Sequence, residues 1–135
     1  MKKSLLIAVD FDGTVVEDRY PAVGKPMPFA IETLKMLQAD GHRIMLWTYR
    51  HGKKLDEAVE FLNSKGVPPY SVNRSYPEEA SHPSDVSRKI GADLFIDDRN
   101  FGGFPGWGVI YQELSTEHDV VTTAKSSFWQ KLFNR

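Results

Sequence analysis

The sequence has no cysteine among its 135 residues, so disulfide bonds, thiolate catalysis and cysteine-based zinc sites are excluded. It also has almost no net charge, because 17 lysine and arginine residues are matched by 18 aspartate and glutamate residues. A general electrostatic attraction to nucleic acid or to an anionic membrane is therefore not expected. A local basic pocket is still compatible with this balance.

Long hydrophobic runs are missing as well. Only five apolar residues, 5–9, precede Asp10, which is too short for the apolar core of a signal peptide or for a membrane span. The sequence therefore predicts a cytoplasmic protein with no membrane association. With 41% hydrophobic and 26% charged residues, the composition is that of a globular protein, and the length predicts one domain over residues 1–135.

Short apolar runs alternate with helical patterns along the chain. The runs predict strands at 5–9, 43–47, 70–72, 94–96 and 109–112. Helices are predicted from Pro28 to a stop at Gly41, over 53–65, from 83 to a stop at Gly91, and over 121–133. The segments 14–27, 73–83 and 101–108 are predicted as loops. This alternation is typical of a three-layer, Rossmann-like α/β fold with a mainly parallel sheet.

Polar side chains follow three of the predicted strands. Asp10, Thr48 and Asp97 each come directly after the last apolar residue of a strand. Because ligands bind beyond the carboxyl ends of parallel strands, we expect these three side chains to converge on one crevice.

Two carboxylates stand two residues apart in the stretch DFDGT (10–14). In an extended segment residues i and i+2 point the same way, so Asp10 and Asp12 can face one point. Asp97 and Asp98 would join them from another strand and complete an anionic cluster that needs a counter-charge. All candidate ligands are oxygens, which favours Mg²⁺ bound by Asp10, Asp12, Asp97 and Asp98.

Bound Mg²⁺ commonly accepts a phosphate oxygen of the substrate. Thr48 and Lys89 could supply a hydroxyl and a cation to the same phosphate, and the N–H groups of Gly13 and Thr14 could cradle it. Asp10 could then attack phosphorus in line and form an aspartyl-phosphate. Asp12 could protonate the leaving oxygen and afterwards activate water.

The order of these motifs resembles the haloacid dehalogenase (HAD) superfamily of aspartate-nucleophile phosphatases. DFDGT (10–14) is similar to its first motif, Thr48 at the end of IMLWT to its second, Lys89 to its third, and LFIDD (94–98) to its fourth. The resemblance covers about residues 5–112. It implies Asp10 as nucleophile, Asp12 as general acid/base, and Mg²⁺ on Asp10, on the backbone carbonyl of Asp12 and on either Asp97 or Asp98.

Members of this superfamily usually carry a cap domain after the first motif or between the second and third. Residues 14–44 and 50–89 are too short for one, so the resemblance implies a capless enzyme with an open site and no separate cap domain. Arg50 and Arg99 stand in short runs similar to those of polynucleotide end-processing phosphatases. Arg50 is therefore a candidate substrate contact. The expected partner is a phosphorylated substrate of unknown identity; nucleic acid is not expected, and only its 3′-phosphate ends stay open.

Other interpretations stay open at this stage. The chain could transfer phosphate to an acceptor other than water, or it could be a non-catalytic phosphoacceptor or binding domain. Thr48 could simply cap its strand, Lys89 could be a solvated helix residue, and Arg50 could be a surface residue. The substrate is not readable from the sequence, and a homo-oligomer is left open.

Overall fold

The computed structural model describes residues 3–80 and 84–115, which form four strands and three helices. In chain order these elements are β1 (Leu6–Val9), α1 (Ala30–Ala39), β2 (Arg43–Leu46), α2 (Gly52–Ser64), β3 (Ser71–Val72), β4 (Leu94–Ile96) and α3 (Trp107–Ser115). All pairings are parallel, and the strand order is β3-β2-β1-β4. The predicted Rossmann-like α/β class is therefore confirmed.

The central strand β1 is buried on both faces of the sheet. Ile7 and Val9 point into the main core, which includes side chains of α1, α2 and α3. Leu6 and Ala8 point the other way and pack in a smaller cluster with Met45 and Ile90. Since successive side chains of a strand alternate between faces, the uninterrupted apolar run of β1 requires cover on both sides.

The structure corrects two predicted elements. The helix predicted from 83 to Gly91 is absent from the described residues 84–91, which form turns and bends. Serine hydroxyls capture backbone N–H groups there, because Ser87 accepts from Lys89 and Ser75 accepts from Gly91. The strand predicted at 109–112 lies within helix α3, whose residues Trp107, Ile110, Tyr111 and Leu114 repeat at helical spacing and pack on the core.

Helix α1 begins two residues later than predicted. Its first residue is Ala30, not Pro28, and the preceding residue Phe29 adopts a left-handed conformation with φ of 64°. The remaining boundaries of the described elements agree with the prediction within about two residues. The helix predicted over 121–133 lies outside the described residues.

No separate cap domain occurs in the part of the chain that the structure describes. Between β1 and β2 stand a loop and α1, and between β2 and residue 80 stand α2 and β3. Across residues 3–80 and 84–115, every helix is too short or too polar to cross a membrane.

Candidate active site

Three carboxylates meet at the carboxyl edge of the sheet, at the ends of the neighbouring strands β1 and β4. Val9 and Ile96 are paired, so Asp10 and Asp97 follow side by side, and the N–H of Asp10 donates to the carbonyl of Ile96 over 2.9 Å. One carboxylate oxygen each from Asp10, Asp97 and Asp98 lies within 4.8 Å of the others. The sequence-predicted acidic residues are therefore brought together, except for the side chain of Asp12.

The side chain of Thr14 contacts two members of this cluster, Asp10 and Asp98. Its buried hydroxyl accepts the N–H of Asp98 over 3.0 Å, and it lies 3.0 Å from Oδ2 of Asp10 and 3.0 Å from Oδ1 of Asp98. The indole Nε1 of Trp107 in turn donates to the Thr14 carbonyl over 2.8 Å. Because its hydroxyl is buried among the carboxylates, the side chain of Thr14 orients the cluster. The predicted substrate contact used the Thr14 N–H, which donates to the carbonyl of Phe11 over 3.1 Å here, and that contact stays a prediction.

Gly13 allows the close approach of Asp98. Its φ of +86° is a conformation that disfavours side chains, and an added Cβ would stand 2.7 Å from Oδ2 of Asp98. Its N–H donates to the carbonyl of Val16 over 2.8 Å, so that group closes a turn. Gly13 therefore has a packing role beside the cluster, and its predicted part in a phosphate cradle stays a prediction.

The carboxyl group of Asp10 has a raised affinity for protons. Burial, the charge of Asp97 and a hydrogen bond with Asp98 raise its pKa to about 7, against the lowering effect of the Thr14 hydroxyl. At about 4 Å and an effective dielectric constant near 20, two like charges repel by about 4 kcal/mol. Such a cluster favours either a bound proton or a bound cation.

Asp12 points to a different partner, Arg50. Nε and Nη2 of Arg50 donate to its two carboxylate oxygens over 2.8 and 2.7 Å. This hydrogen bonding raises the pKa of Arg50 above its ordinary value, so the guanidinium stays charged although it is only 2% exposed. The spacing predicts that Asp10 and Asp12 face one point, but the hydrogen bonds with Arg50 give the Asp12 carboxylate a different environment from the cluster of Asp10, Asp97 and Asp98.

Thr48 stands at the end of β2 and is held by Asn73. The side-chain amide of Asn73 accepts from the N–H of Thr48 over 2.8 Å and donates to its carbonyl over 3.0 Å. The Thr48 hydroxyl accepts the N–H of Arg50 over 3.1 Å and so keeps its own hydrogen for another acceptor. Asn73 was missed by the sequence reasoning; its φ of 53° belongs to a conformation that asparagine tolerates better than most residues.

An open cavity of about 330 Å³ lies over this edge of the sheet. Six lining residues were already named from the sequence: Asp10, Asp12, Thr48, Arg50, Asp97 and Arg99. The other three are Asp18, Tyr20 and Tyr49. Tyr49 is 93% exposed, so the rim of the cavity is open to water.

Lys89 is not among the residues that line this cavity. It lies in the turn segment that follows residue 84, and its side chain is exposed. The prediction rested on the order of the motifs and on the resemblance, in which a lysine precedes the last strand, and the described residues 84–91 form turns and bends instead of a helix. Its catalytic role stays a prediction, and Arg50 and Arg99 are the cations among the lining residues.

Comparison with known proteins gives one weak relative and one strong one. No family model matches the chain. A Bacillus cereus protein named "Putative nucleotidase" is 26% identical over 86 residues, which is 64% of this chain and 46% of that protein. The chain thus spans about half the length of this curated relative. A solved structure of a conserved protein from Bacteroides thetaiotaomicron is 53% identical with a TM-score of 0.78, covering 84% of this chain and 91% of that one.

Proposed function

Since the chain belongs to the same family as this conserved protein of Bacteroides thetaiotaomicron, we propose for it the function that its own site supports best. It is a capless phosphomonoester hydrolase of HAD type that acts through an aspartyl-phosphate on Asp10. The observation that carries this proposal is the convergence of Asp10, Asp97 and Asp98 beside a cavity that Asp12 and Thr48 also line.

The substrate class that we propose is a nucleotide. The support is the similarity to the Bacillus cereus protein, whose name contains the word nucleotidase.

The open rim of the cavity favours hydrolysis over transfer to another acceptor, because a transferase must keep water away from its phosphorylated intermediate.

The carboxylate cluster fits a resident Mg²⁺. Asp10, Asp97 and Asp98 offer hard oxygen ligands within 4.8 Å of one another, and burial together with the negative charge of Asp97 raises the pKa of Asp10. When bound, Mg²⁺ would neutralise charge on the phosphate and on the attacking carboxylate. The backbone carbonyl of Asp12 as a further ligand stays a prediction.

The first chemical step is carried by Asp10 and Asp12. A carboxylate oxygen of Asp10 attacks phosphorus and the bond from phosphorus to the ester oxygen breaks. Asp12, protonated on an oxygen lone pair that its hydrogen bonds with Arg50 leave open, gives that proton to the leaving oxygen. In the second step Asp12 takes a proton from water, whose oxygen attacks phosphorus and releases phosphate and the Asp10 carboxylate. The hydroxyl of Thr48 has a hydrogen to donate to a phosphoryl oxygen throughout.

The test is hydrolysis of a panel of phosphate esters by the wild type and by Asp10→Asn, with Mg²⁺ and with EDTA. The panel contains p-nitrophenyl phosphate, nucleoside monophosphates, sugar phosphates and 3′-phosphorylated oligonucleotides. We expect activity with Mg²⁺ only, a phosphoryl adduct on Asp10 in acid-quenched wild type, and a loss of about 10³-fold or more in Asp10→Asn.

Asp56→Asn is the matched control, because Asp56 is an exposed aspartate on α2 away from the cavity, and it should keep full activity. Equal turnover by Asp10→Asn and wild type would remove the proposed nucleophile. A wild type that hydrolyses no ester of the panel would contradict the proposed function as a whole. Preference for sugar phosphates over nucleotides would contradict only the substrate class.

A further inference from the structure

Arg50 is a buried charge whose hydrogen-bonding capacity is fully used inside the protein. A guanidinium has five N–H donors, and each has an acceptor here. Two go to the carboxylate of Asp12, two from Nη1 go to the carbonyls of Pro21 and Lys54 over 3.1 Å each, and one from Nη2 goes to the carbonyl of Ala22 over 2.9 Å. No donor is left for a substrate phosphate, so the predicted role of Arg50 as a direct substrate contact is not what this geometry supports.

The same guanidinium joins three parts of the fold. It connects the end of β1 through Asp12, the first turn of α2 through Lys54, and the loop of residues 17–25, here called the flap, through Pro21 and Ala22. Its central carbon also lies 5.3 Å from the ring centroid of Phe11 and 5.2 Å from that of Tyr20. Such a planar, forked and saturated contact leaves the group little freedom to turn.

The consequence falls on Asp12, which lines the cavity with a side chain that is 16% exposed. Both of its oxygens are held by the fork, so its orientation toward the cavity is fixed by Arg50. We propose that Arg50 is a positioning residue, which aims the Asp12 carboxyl group at the leaving oxygen and couples that aim to the position of the flap. This inference rests on the proposed function, since it assigns Asp12 to proton transfer.

The coupling to the flap has a structural consequence for substrate choice. Asp18 and Tyr20 belong to the flap and line the cavity, and Nζ of Lys54 lies 5.0 Å from the ring centroid of Tyr20. A displacement of the flap is therefore passed through Arg50 to the acid/base group Asp12.

The test is Arg50→Lys, which keeps the positive charge but cannot make a fork. Proton donation matters most for esters with poor leaving groups, so the variant is measured with p-nitrophenyl phosphate and with an alkyl phosphate. We expect kcat to fall by about 100-fold for the alkyl ester and by less than about 5-fold for the aryl ester, with KM changed little. In an Asp12→Asn background, Arg50→Lys should add no further loss, because the two residues act as a unit.

Leu62→Ala is the control for simple destabilisation. Leu62 is a buried core residue of α2, and its truncation should lower Tm without changing the ratio of aryl to alkyl turnover. A second variant, Gly24→Ala, covers the case in which Arg50→Lys does not fold. An added Cβ at Gly24 would stand 2.1 Å from the carbonyl of Glu17, so it displaces the flap and should reproduce the selective loss on alkyl esters.

Three outcomes would overturn the inference. A KM raised more than about 10-fold with an unchanged ester ratio would make Arg50 a phosphate contact. An equal loss on both esters, as expected for damage to the fold alone, would make it a structural residue. Additive losses in the Asp12→Asn background would show that it does not act through Asp12. If the wild type hydrolyses neither ester, the proposed function fails and the inference fails with it, which is distinct from these three results.

Discussion

At the scale of single residues, the site depends on short polar contacts that hold like charges close together. The Thr14 hydroxyl touches Asp10 and Asp98 and accepts the N–H of Asp98, while Gly13 gives room for the Asp98 carboxylate. The N–H groups of both residues donate to backbone carbonyls. Both residues fix the distances between the oxygens on which cation binding would depend, as partners of metal ligands do in other proteins.

Thr14→Val tests this role, because valine has the same shape and lacks the hydroxyl. We expect a stability loss of about 1–3 kcal/mol from the buried groups left without their partner, and a Mg²⁺ affinity lowered by about 10-fold or more. Calorimetric titration with Mg²⁺ and thermal unfolding measure the two effects. Thr33→Val changes a buried threonine of α1 and should leave Mg²⁺ affinity unchanged. Unaltered affinity in Thr14→Val would contradict the assignment.

At the scale of elements, the site is built from the ends of strands and the turns that follow them. Thr48 lies two residues after the end of β2, and Asn73 follows β3 directly, so that the Asn73 amide makes two hydrogen bonds with the backbone of Thr48. The side chain of Asn73 therefore connects the ends of the neighbouring strands β2 and β3. These hydrogen bonds fix the direction in which the Thr48 hydroxyl faces the cavity.

Removal of the Asn73 amide should weaken phosphate binding more than it lowers kcat. Asn73→Ala loses both amide contacts and places a less tolerant residue at a φ of 53°, so we expect KM to rise by about 10-fold with a smaller change in kcat. Asn73→Gly is the matched variant, since glycine accepts this φ but has no amide. If Asn73→Gly behaves as the wild type, the amide contacts are unimportant and only the backbone conformation matters.

At the scale of the whole molecule, the parallel sheet directs three acidic side chains to one edge although the net charge is only −1. The fold therefore concentrates a charge that the composition conceals. Folding brings Asp10 from a pKa of 3.8 to about 7 because of burial and its acidic neighbours. The stability of the cation-free protein must then depend on pH.

The sign follows from proton binding. Between about pH 4 and 7 the folded protein holds a proton on Asp10 that the unfolded chain releases, so the free energy of unfolding falls as pH rises through this interval in EDTA. Because Asp10 is only half buried, the loss is about 1–2 kcal/mol, less than the full linkage would give. In urea unfolding from pH 4 to 8, the free energy of unfolding of Asp10→Asn should increase relative to that of the wild type as pH rises, and saturating Mg²⁺ should reverse this difference. A relative stability of Asp10→Asn that increases as pH falls would refute the assignment.

The elements that the sequence predicted well are those whose pattern has one physical cause. Strand β1 is an uninterrupted apolar run that is buried on both faces, and residues 44–46 of β2 are buried in the same way. Strand β4 is a shorter apolar run, in which Phe95 is 40% exposed. The 84–91 segment was predicted wrongly because serine hydroxyls compete for backbone N–H groups, and propensity alone does not measure that competition. In α3 the β-branched pair Val109-Ile110 favoured a strand, but the segment forms a helix, in which Trp107 and Leu114 pack on the core.

The sequence by itself determined the parallel α/β class and the gathering of Asp10, Thr48 and Asp97 at one edge, because apolar runs that end in polar residues allow few other arrangements. The tertiary structure alone decided the partners of these residues. Arg50 is 38 positions from Asp12 in the sequence and makes two hydrogen bonds with its carboxylate. Asn73 is 25 positions from Thr48 and hydrogen-bonds to its backbone. Lys89 lies on a turn and does not line the cavity. Contacts between residues so far apart depend on how loops close over the sheet, and local patterning does not encode that closure.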